Sequence, residues 1–523
     1  MIRPQPLDMK RGTIHLYKIR ILFLDREFEH DVYELIRAFY PESEIHTIYE
    51  EETAREEYNL SFTVSEENGS FVLRYKGEGY NGVSSAEKIK GHSCSQEEDA
   101  PVFCEAEEES ARTLRKENKD IIKYGLYKLL VKLTGKTLPW GNLTGIRPVK
   151  LAMAMIESGM KNSETAQEMR ERYLVSPEKT ALAVAIANRE RDILKKIDYE
   201  KGYSLYIGVP FCPSICLYCS FSSYPLKVWK DRVDAYVDAL CREIRETAPM
   251  MKGRKLDTIY IGGGTPTTLE PEQLRRVLRQ VEESFGFGGL VEFTIEAGRP
   301  DSITREKLQA IREFPVTRIS VNPQTMNQET LDIIGRRHTV EETEKAFLLA
   351  RELGFDNINM DLIVGLPGED ISKVQNTLNK VRALSPDSLT VHSLAVKRAA
   401  RLNMFKDKYQ EMTFENNQEI MNLTMEAARE MEMSPYYLYR QKNMKGNFEN
   451  VGYAKTDKAG IYNILIMEEK QPIIALGAGG SSKLVFDGGR RIERVENVKD
   501  VTNYIARIEE MIERKRAGIE RWL

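Results

Sequence analysis

From Leu205 onward, short apolar runs alternate with amphipathic stretches. The apolar runs are Leu205–Val209, Thr258–Ile261, Val291–Glu296, Arg318–Val321, Ile358–Val364 and Ser388–Ala395. They are too short for buried helices, and turn-forming residues flank them, so they predict strands. Between them, stretches such as Asp231–Thr247 and Pro271–Ser284 repeat apolar residues at helical spacing. Six strand–helix units in series imply a parallel sheet with helices outside it. A closed barrel of this type needs eight strands, so an open, partial (β/α)6 barrel is expected. The fold class is α/β.

Elsewhere the rhythm differs. Ile19–Leu24 predicts a strand, Glu29–Tyr40 an amphipathic helix ended by Pro41, and Asn59–Gly77 a hairpin turning at Asn68-Gly69. Residues 1–83 are therefore expected to form a small α/β module. Residues 84–110, with Glu97-Glu98-Asp99 and Glu107-Glu108-Glu109, have the composition of a solvated acidic linker. Residues 111–200 are helical in pattern, interrupted by a Gly-, Pro- and Trp-rich loop from Leu138 to Pro148. The barrel core spans 201–395, and an α+β extension spans 396–523. That extension is expected to hold a helix (Phe414–Glu432), a hairpin pairing Ile461–Met467 with Ile473–Leu476, and a charged helix near Val498–Arg516.

Composition narrows the function. Of 523 residues, 41% are apolar, enough for packed cores and too many for a disordered chain. The net charge of −4 argues against a chain held on nucleic acid by bulk charge, and no basic aromatic stripe suggests an RNA substrate. No run approaches the ~20 apolar residues of a membrane span, and the first residues carry no apolar signal core, so a cytoplasmic location is expected. There are six cysteines, and Cys212, Cys216 and Cys219 lie within eight residues of one another. Such clustering suggests a metal site rather than a disulfide framework.

The cysteines follow the first barrel strand, where loops form the active face of such folds. Three thiolates on one loop suit three irons of a [4Fe–4S] cubane, leaving one iron open for chemistry. A structural zinc would need a fourth Cys or His, and the segment has none. After the second strand comes Gly262-Gly263-Gly264-Thr265-Pro266-Thr267, whose glycines permit close backbone approach and would expose amides to a ligand. Glu296 ends the third strand, Gln324 ends the fourth, Arg336 comes twelve residues later, and Asp361 lies in the fifth.

Cys-x3-Cys-x2-Cys after a first barrel strand resembles the signature of radical S-adenosylmethionine (SAM) enzymes. The surrounding motifs resemble the oxygen-independent coproporphyrinogen III oxidase branch, and within it HemZ-type coproporphyrinogen dehydrogenases. The resemblance implies that Tyr206, Tyr218, Gly263, Gly264, Thr265, Glu296, Gln324, Arg336, Asp361 and Ala395 bind SAM, with Tyr206 also in a catalytic position. It implies a [4Fe–4S] cluster, a tetrapyrrole substrate, and a one-electron donor such as a flavodoxin or ferredoxin. The implied reaction converts two propionates of coproporphyrinogen III to vinyls in haem biosynthesis. Basic partners for the substrate carboxylates are sought among Lys397, Arg398, Arg401, Arg440, Lys442 and Lys445.

Some positions depart from the pattern. The oxidases carry an extra cysteine where this chain has Phe221, and the related haem chaperones carry an aromatic there. Those chaperones have a His-Asn-x-x-Tyr-Trp motif, replaced here by Glu449-Asn450-Val451-Gly452-Tyr453-Ala454, and no histidine follows His392. A haem-binding or haem-transfer protein and a radical SAM enzyme for another tetrapyrrole are the alternatives. Ala475–Ser482 is Gly-rich, and is either a second ligand loop or a tight turn. His338 and His392 are expected to be structural histidines near the active face. Cys94, Cys104 and Cys241 are expected to be ordinary thiols, and Trp140, Trp229 and Trp522 packing residues.

Overall fold

The computed structural model describes residues 17–523, apart from 42, 50–57, 69, 78–79, 88–102, 146, 222, 396–399, 401, 403–415 and 442–447. The chain forms two compact units, one of Met1–Pro148 and Ala154–Val184, the other of Val149–Met153 and Ala185–Leu523.

The first unit holds a five-stranded sheet of β1 (Lys18–Phe23), β2 (Glu44–Ile48), β3 (Leu60–Glu67), β4 (Ser70–Gly77) and β5 (Tyr80–Glu87), in the order β2-β1-β3-β4-β5. β1 runs parallel to β2 and β3, and the remaining pairs are antiparallel. The hairpin forms as the sequence suggests, with Glu67 opposite Ser70 and Asn68 at a φ of +50°. Such short loops favour Asn and Gly, which tolerate positive φ. Helix Glu29–Phe39 buries Val32, Leu35, Ile36 and Phe39, the stripe its spacing predicts. The next helix, Phe103–Thr134, adds Ile122, Leu126, Leu129 and Leu130 to the same core. Thus β5 reaches Glu87 and a helix starts at Phe103. Most of the acidic stretch between them lies outside the described residues, Cys94 included.

The second unit is built on one eleven-stranded sheet. Its centre is β6 (Gly202–Val209), β9 (Lys255–Gly263), β10 (Glu292–Glu296), β11 (Arg318–Ser320), β12 (Ile358–Val364) and β13 (Ser388–Ser393), all parallel and in sequential order. The two-residue strands β7 (Phe211–Cys212) and β8 (Tyr224–Pro225) pair separately. Helices follow the central strands, including Val233–Thr247, Pro271–Phe285, Val340–Glu352 and Ile371–Leu384. Strands covered on both faces must be apolar almost throughout, and β6 and β12 each have only one position that is not fully buried. The sheet is a partial barrel and stays open: further strands extend it beyond β13 and beyond β6.

Beside β13 lie β15 (Asn450–Ala454) and β14 (Ser434–Tyr439), and beside β6 lie β16 (Ile473–Leu476), β17 (Ser481–Phe486) and β18 (Arg491–Glu496). Here one expectation fails. Ile461–Glu468 is a helix rather than the partner strand of Ile473–Leu476. Short apolar runs are ambiguous between the two states. Tertiary contact decides this one: the buried Glu292 carboxylate accepts the N–H groups of Ile461 and Tyr462, a favourable charge at a helix N-terminus. β16 instead pairs parallel with β6, Ile474 opposite Leu205. The C-terminal helix is also longer than expected, breaking at Arg507 into Val501–Ala506 and Ile508–Trp522.

The Gly-rich Ala475–Ser482 segment is a tight turn between β16 and β17. Gly477 N donates to Glu243 Oε2 (2.8 Å), Ala478 N donates to Tyr236 Oη (3.1 Å), and Asn497 Nδ2 donates to Gly477 O (2.9 Å). Lys515 reaches in from the last helix to pair with Glu243 at 3.1 Å. These polar groups are satisfied within the chain, as burial demands.

Trp140 is fully buried, Trp522 donates to Val485 O at 2.9 Å, Trp229 packs edge-on against Tyr224, and Cys241 is buried on helix Val233–Thr247, all packing roles. Among the described residues, no helix is long and apolar enough to cross a membrane.

Candidate functional site

Parallel strands end on a common edge, and the expected site residues lie along it. β6 and β9 are in register from Ser204↔Thr258 to Val209↔Gly263, so the cysteine loop after β6 and the Gly-rich turn after β9 emerge side by side. They are joined by backbone bonds: Gly264 N donates to Val209 O (2.8 Å) and Thr265 N to Phe211 O (2.7 Å). A Cβ on Gly264 would stand 2.5 Å from Phe211 O and 2.8 Å from Pro210 C, which explains the glycine. Gly263 adopts φ +109°, and its N–H serves Glu296. The amides expected to be open to a ligand are therefore engaged with the chain itself. The turn clamps the cysteine loop.

Thr265 Oγ1 donates to Cys212 Sγ at 3.6 Å. Cys216 is buried, and Arg299 Nη1 lies 3.4 Å from its sulfur. Burial works to raise the Cys216 thiol, but the guanidiniums of Arg336 and Arg299 and the Tyr218 hydroxyl together hold it below the usual thiol range. Burial pushes Cys212 up to about 11, against the Thr265 hydrogen bond. It also raises Cys219, against bonds from the Phe221 N–H and Ser223.

These residues fit an iron–sulfur cluster. The loop presents three thiols, one already biased to thiolate, with two cations beside it to offset the ligands' charge. The two raised thiols would lose their protons on metal binding. Among the described residues, no three acidic, His or Cys side chains converge as around a single ion. A cubane places each thiolate on a different iron, so it does not require that convergence.

The other expected residues ring the same edge. Tyr206 stacks with Tyr260 and Tyr462 at centroid distances of 6.3 and 6.4 Å. The Tyr260 hydroxyl donates to Glu296 Oε1. Burial, then the nearby Asp361 carboxylate, raise Glu296 to about 7, with the Tyr260 bond opposing. Asp361 accepts from Asn359 Nδ2 at 2.7 Å and lies 3.9 Å from His392 Nε2. These partners outweigh burial and lower its pKa. His392 also meets the Tyr439 hydroxyl at 3.2 Å.

Gln324 sits at φ +67°, a left-handed conformation costly for a side-chain-bearing residue. Its backbone bridges to Asp361 O and Ile363 N (both 2.9 Å), and its buried Oε1 has no hydrogen-bond partner. Strain together with an unpartnered buried polar atom suits a ligand site. Arg336 is buried against Cys216 and the Asn322 carbonyl, leaving Nε without a partner. Ala395 is half-buried beyond β13. The carboxylates and the unpartnered polar atoms at this edge are groups of the kind that could hold an ammonium or a ribose.

Among the basic candidates, Lys397, Arg398, Arg401, Lys442 and Lys445 lie outside the described residues. Arg440 is buried at the end of β14, and desolvation pushes it down to about 10 despite nearby Glu449. His338 is fully buried, and burial, then Arg336, push it down to about 3, so it is neutral. Sequence reasoning missed Arg299, Asp301, Tyr260 and Tyr462. Arg299 and Asp301 follow the third strand's end, a placement that could have drawn notice, whereas Tyr462 arrives from a distant helix. Two surface clefts of about 460 and 520 Å³ are lined by outer-helix residues and include none of the site residues.

Residues 206–381 match the family model described as the Radical SAM superfamily. The chain is 41% identical over 404 residues to the oxygen-independent coproporphyrinogen-III oxidase-like protein HemZ of Bacillus subtilis, covering 76% of this chain and 81% of that protein. It is 32% identical over 306 residues to the heme chaperone HemW of the same organism, covering 58% and 76%. Among solved structures, coproporphyrinogen III oxidase (HemN) from Escherichia coli aligns at 24% identity and a TM-score of 0.49, covering 62% of this chain and 73% of that one.

Proposed function

The chain belongs to the radical SAM superfamily, in the family of HemZ, and from that premise we propose that it converts coproporphyrinogen III propionates to vinyls without oxygen. Members of the superfamily use a [4Fe–4S] cluster and SAM. We assign the cluster to Cys212, Cys216 and Cys219, and SAM to the edge formed by Tyr206, Tyr218, Gly263, Gly264, Thr265, Glu296, Gln324, Arg336, Asp361 and Ala395. The observation that carries the proposal is the clamp between the Gly-rich turn and the cysteine loop, which sets a thiol-rich loop against a buried polar ligand edge.

When bound, these groups would supply reductive cleavage of SAM and a carbon radical able to take hydrogen from a propionate β-carbon; loss of carbon dioxide, with one electron passed to a one-electron acceptor, would then leave the vinyl. The chain's own part is placement and shielding. Thr265 and Arg299 fix two of the sulfurs. Glu296 takes the SAM ammonium or ribose, and the Tyr206–Tyr260–Tyr462 stack walls the edge from water. We place catalysis in residues 201–395 and the substrate side in 396–523. Residues 1–83, 84–110 and 111–200 are assigned as an α/β module, an acidic linker and a helical region, the linker narrowed by the strand that reaches Glu87 and the helix that starts at Phe103. A flavodoxin- or ferredoxin-class donor would supply the electrons.

Haem binding or transfer is the second reading, favoured by Phe221, which is 73% exposed beside the cysteine loop. Against it, Glu449–Ala454 is buried, and the stretch from Asn450 forms β15, so it presents no open haem-ligand surface.

The test is anaerobic reconstitution of the cluster, followed by reductant, SAM and coproporphyrinogen III, with carbon dioxide and vinyl products followed by mass spectrometry. SAM cleavage without decarboxylation refutes the oxidase reading, and tight haem binding without turnover selects the chaperone reading. A Cys216→Ala chain that retained full iron and sulfide content would refute the ligand assignment.

A further inference from the structure

Arg299 is 3% exposed and follows β10 in Gly298-Arg299-Pro300-Asp301. Its guanidinium has two engaged faces. Toward Asp301 it forms a fork, Nε to Oδ1 at 2.9 Å and Nη2 to Oδ2 at 2.7 Å. Toward the cysteine loop, Nη1 lies 3.4 Å from Cys216 Sγ and 3.4 Å from Ser214 O, while Nη2 donates to Ser214 Oγ at 3.1 Å. Burying a guanidinium is costly unless it is paired and hydrogen-bonded, and here the bidentate carboxylate meets that demand. The carboxylate also fixes the plane of the fork, so the remaining N–H groups point at one sulfur and its loop.

We propose that Arg299, oriented by Asp301, is a positioning residue that sets the reduction potential of the cluster through Cys216. This rests on the reading of Cys212, Cys216 and Cys219 as cluster ligands. A thiolate-bound cubane gains one negative charge when it takes up one electron, with no proton moved. A fixed cation and an N–H bond at a ligand sulfur therefore stabilise the reduced form and raise the potential. Asp301 moderates that charge. Low effective dielectric at a buried site keeps both contributions large. The charges of the two residues thus act with opposite sign on the potential; Asp301→Asn removes one of them while its amide oxygen can still accept from Arg299 Nε and keep the fork aimed, whereas a merely structural clamp would make loss of either residue act alike.

The experiment uses full-length chains reconstituted anaerobically as wild type, Arg299→Met, Arg299→Lys and Asp301→Asn. Iron and sulfide content are measured first, then the one-electron midpoint by EPR-monitored titration without SAM or substrate. Arg299→Met is expected to shift the reduction equilibrium at least tenfold toward the oxidised form, about 59 mV more negative. Arg299→Lys should fall between it and wild type. Asp301→Asn should shift the potential positive. Shifts of the same sign in Arg299→Met and Asp301→Asn, or an unchanged potential in a fully loaded Arg299→Met, overturn the inference while leaving the ligand assignment standing. If Arg299→Met retains no cluster, the opposite signs are read from Arg299→Lys and Asp301→Asn. A wild-type chain that assembles no cluster overturns both readings.

Discussion

Under the SAM assignment proposed above, Glu296 is a residue at which stability and ligand binding pull in opposite directions. Its carboxyl is raised from the usual 4.5 to about 7, first by burial and then by Asp361. The folded chain therefore holds a proton that the unfolded chain releases between about pH 4.5 and 7. Stability consequently falls as pH rises through that window, and the loss is complete above the folded-state value. Holding that proton from about 4.5 to about 7 is worth about 3 kcal/mol, an upper bound because the side chain keeps some solvent access. Glu296→Gln carries no charge and still accepts from the Tyr260 hydroxyl. In the cluster-free, SAM-free chain at about pH 8, thermal unfolding of the variant should occur a few degrees above wild type. The two should converge near pH 5, where the wild-type carboxyl is protonated. Added SAM, with the cluster in place, should reverse the order by stabilising wild type more. A pH-independent difference between the cluster-free chains, or a wild type more stable than the variant at pH 8, would refute the reasoning.

Gly264→Ala is expected to place a methyl against Phe211 O and Pro210, both backbone, and to destabilise the chain by about 2 kcal/mol. Urea unfolding measures the loss, and iron content should fall with it as the cysteine loop moves. Lys515→Met leaves the Glu243 carboxylate buried without its cation, at an expected cost of about 3–5 kcal/mol. Adding Glu243→Gln should recover much of this, and the double-mutant cycle separates the pair from the rest of the network. Both results are read by the same unfolding assay.

Local features of the chain were enough for the outline. The six central strands, the helices between them and the Cys-x3-Cys-x2-Cys loop could be read because apolar periodicity and ligand spacing are short-range properties. The placement of Glu296 at the end of the third strand, Gln324 past the fourth and Asp361 within the fifth followed from counting along that rhythm. Only tertiary structure decided what each residue faces. Arg299 meets Cys216 across 83 residues of sequence, and Lys515 meets Glu243 from the last helix. Ile461–Glu468 became a helix because a buried carboxylate on β10 accepts its first amides, a partner no local pattern reveals. β16 returned to extend the sheet beside β6, about 270 residues away in the chain. The glycines after β9 were noticed as a ligand turn, but folding turned their amides toward the cysteine loop and Glu296. Periodicity determines which elements form; long-range burial and pairing of charge determine which side chains meet, and the chemistry depends on the latter.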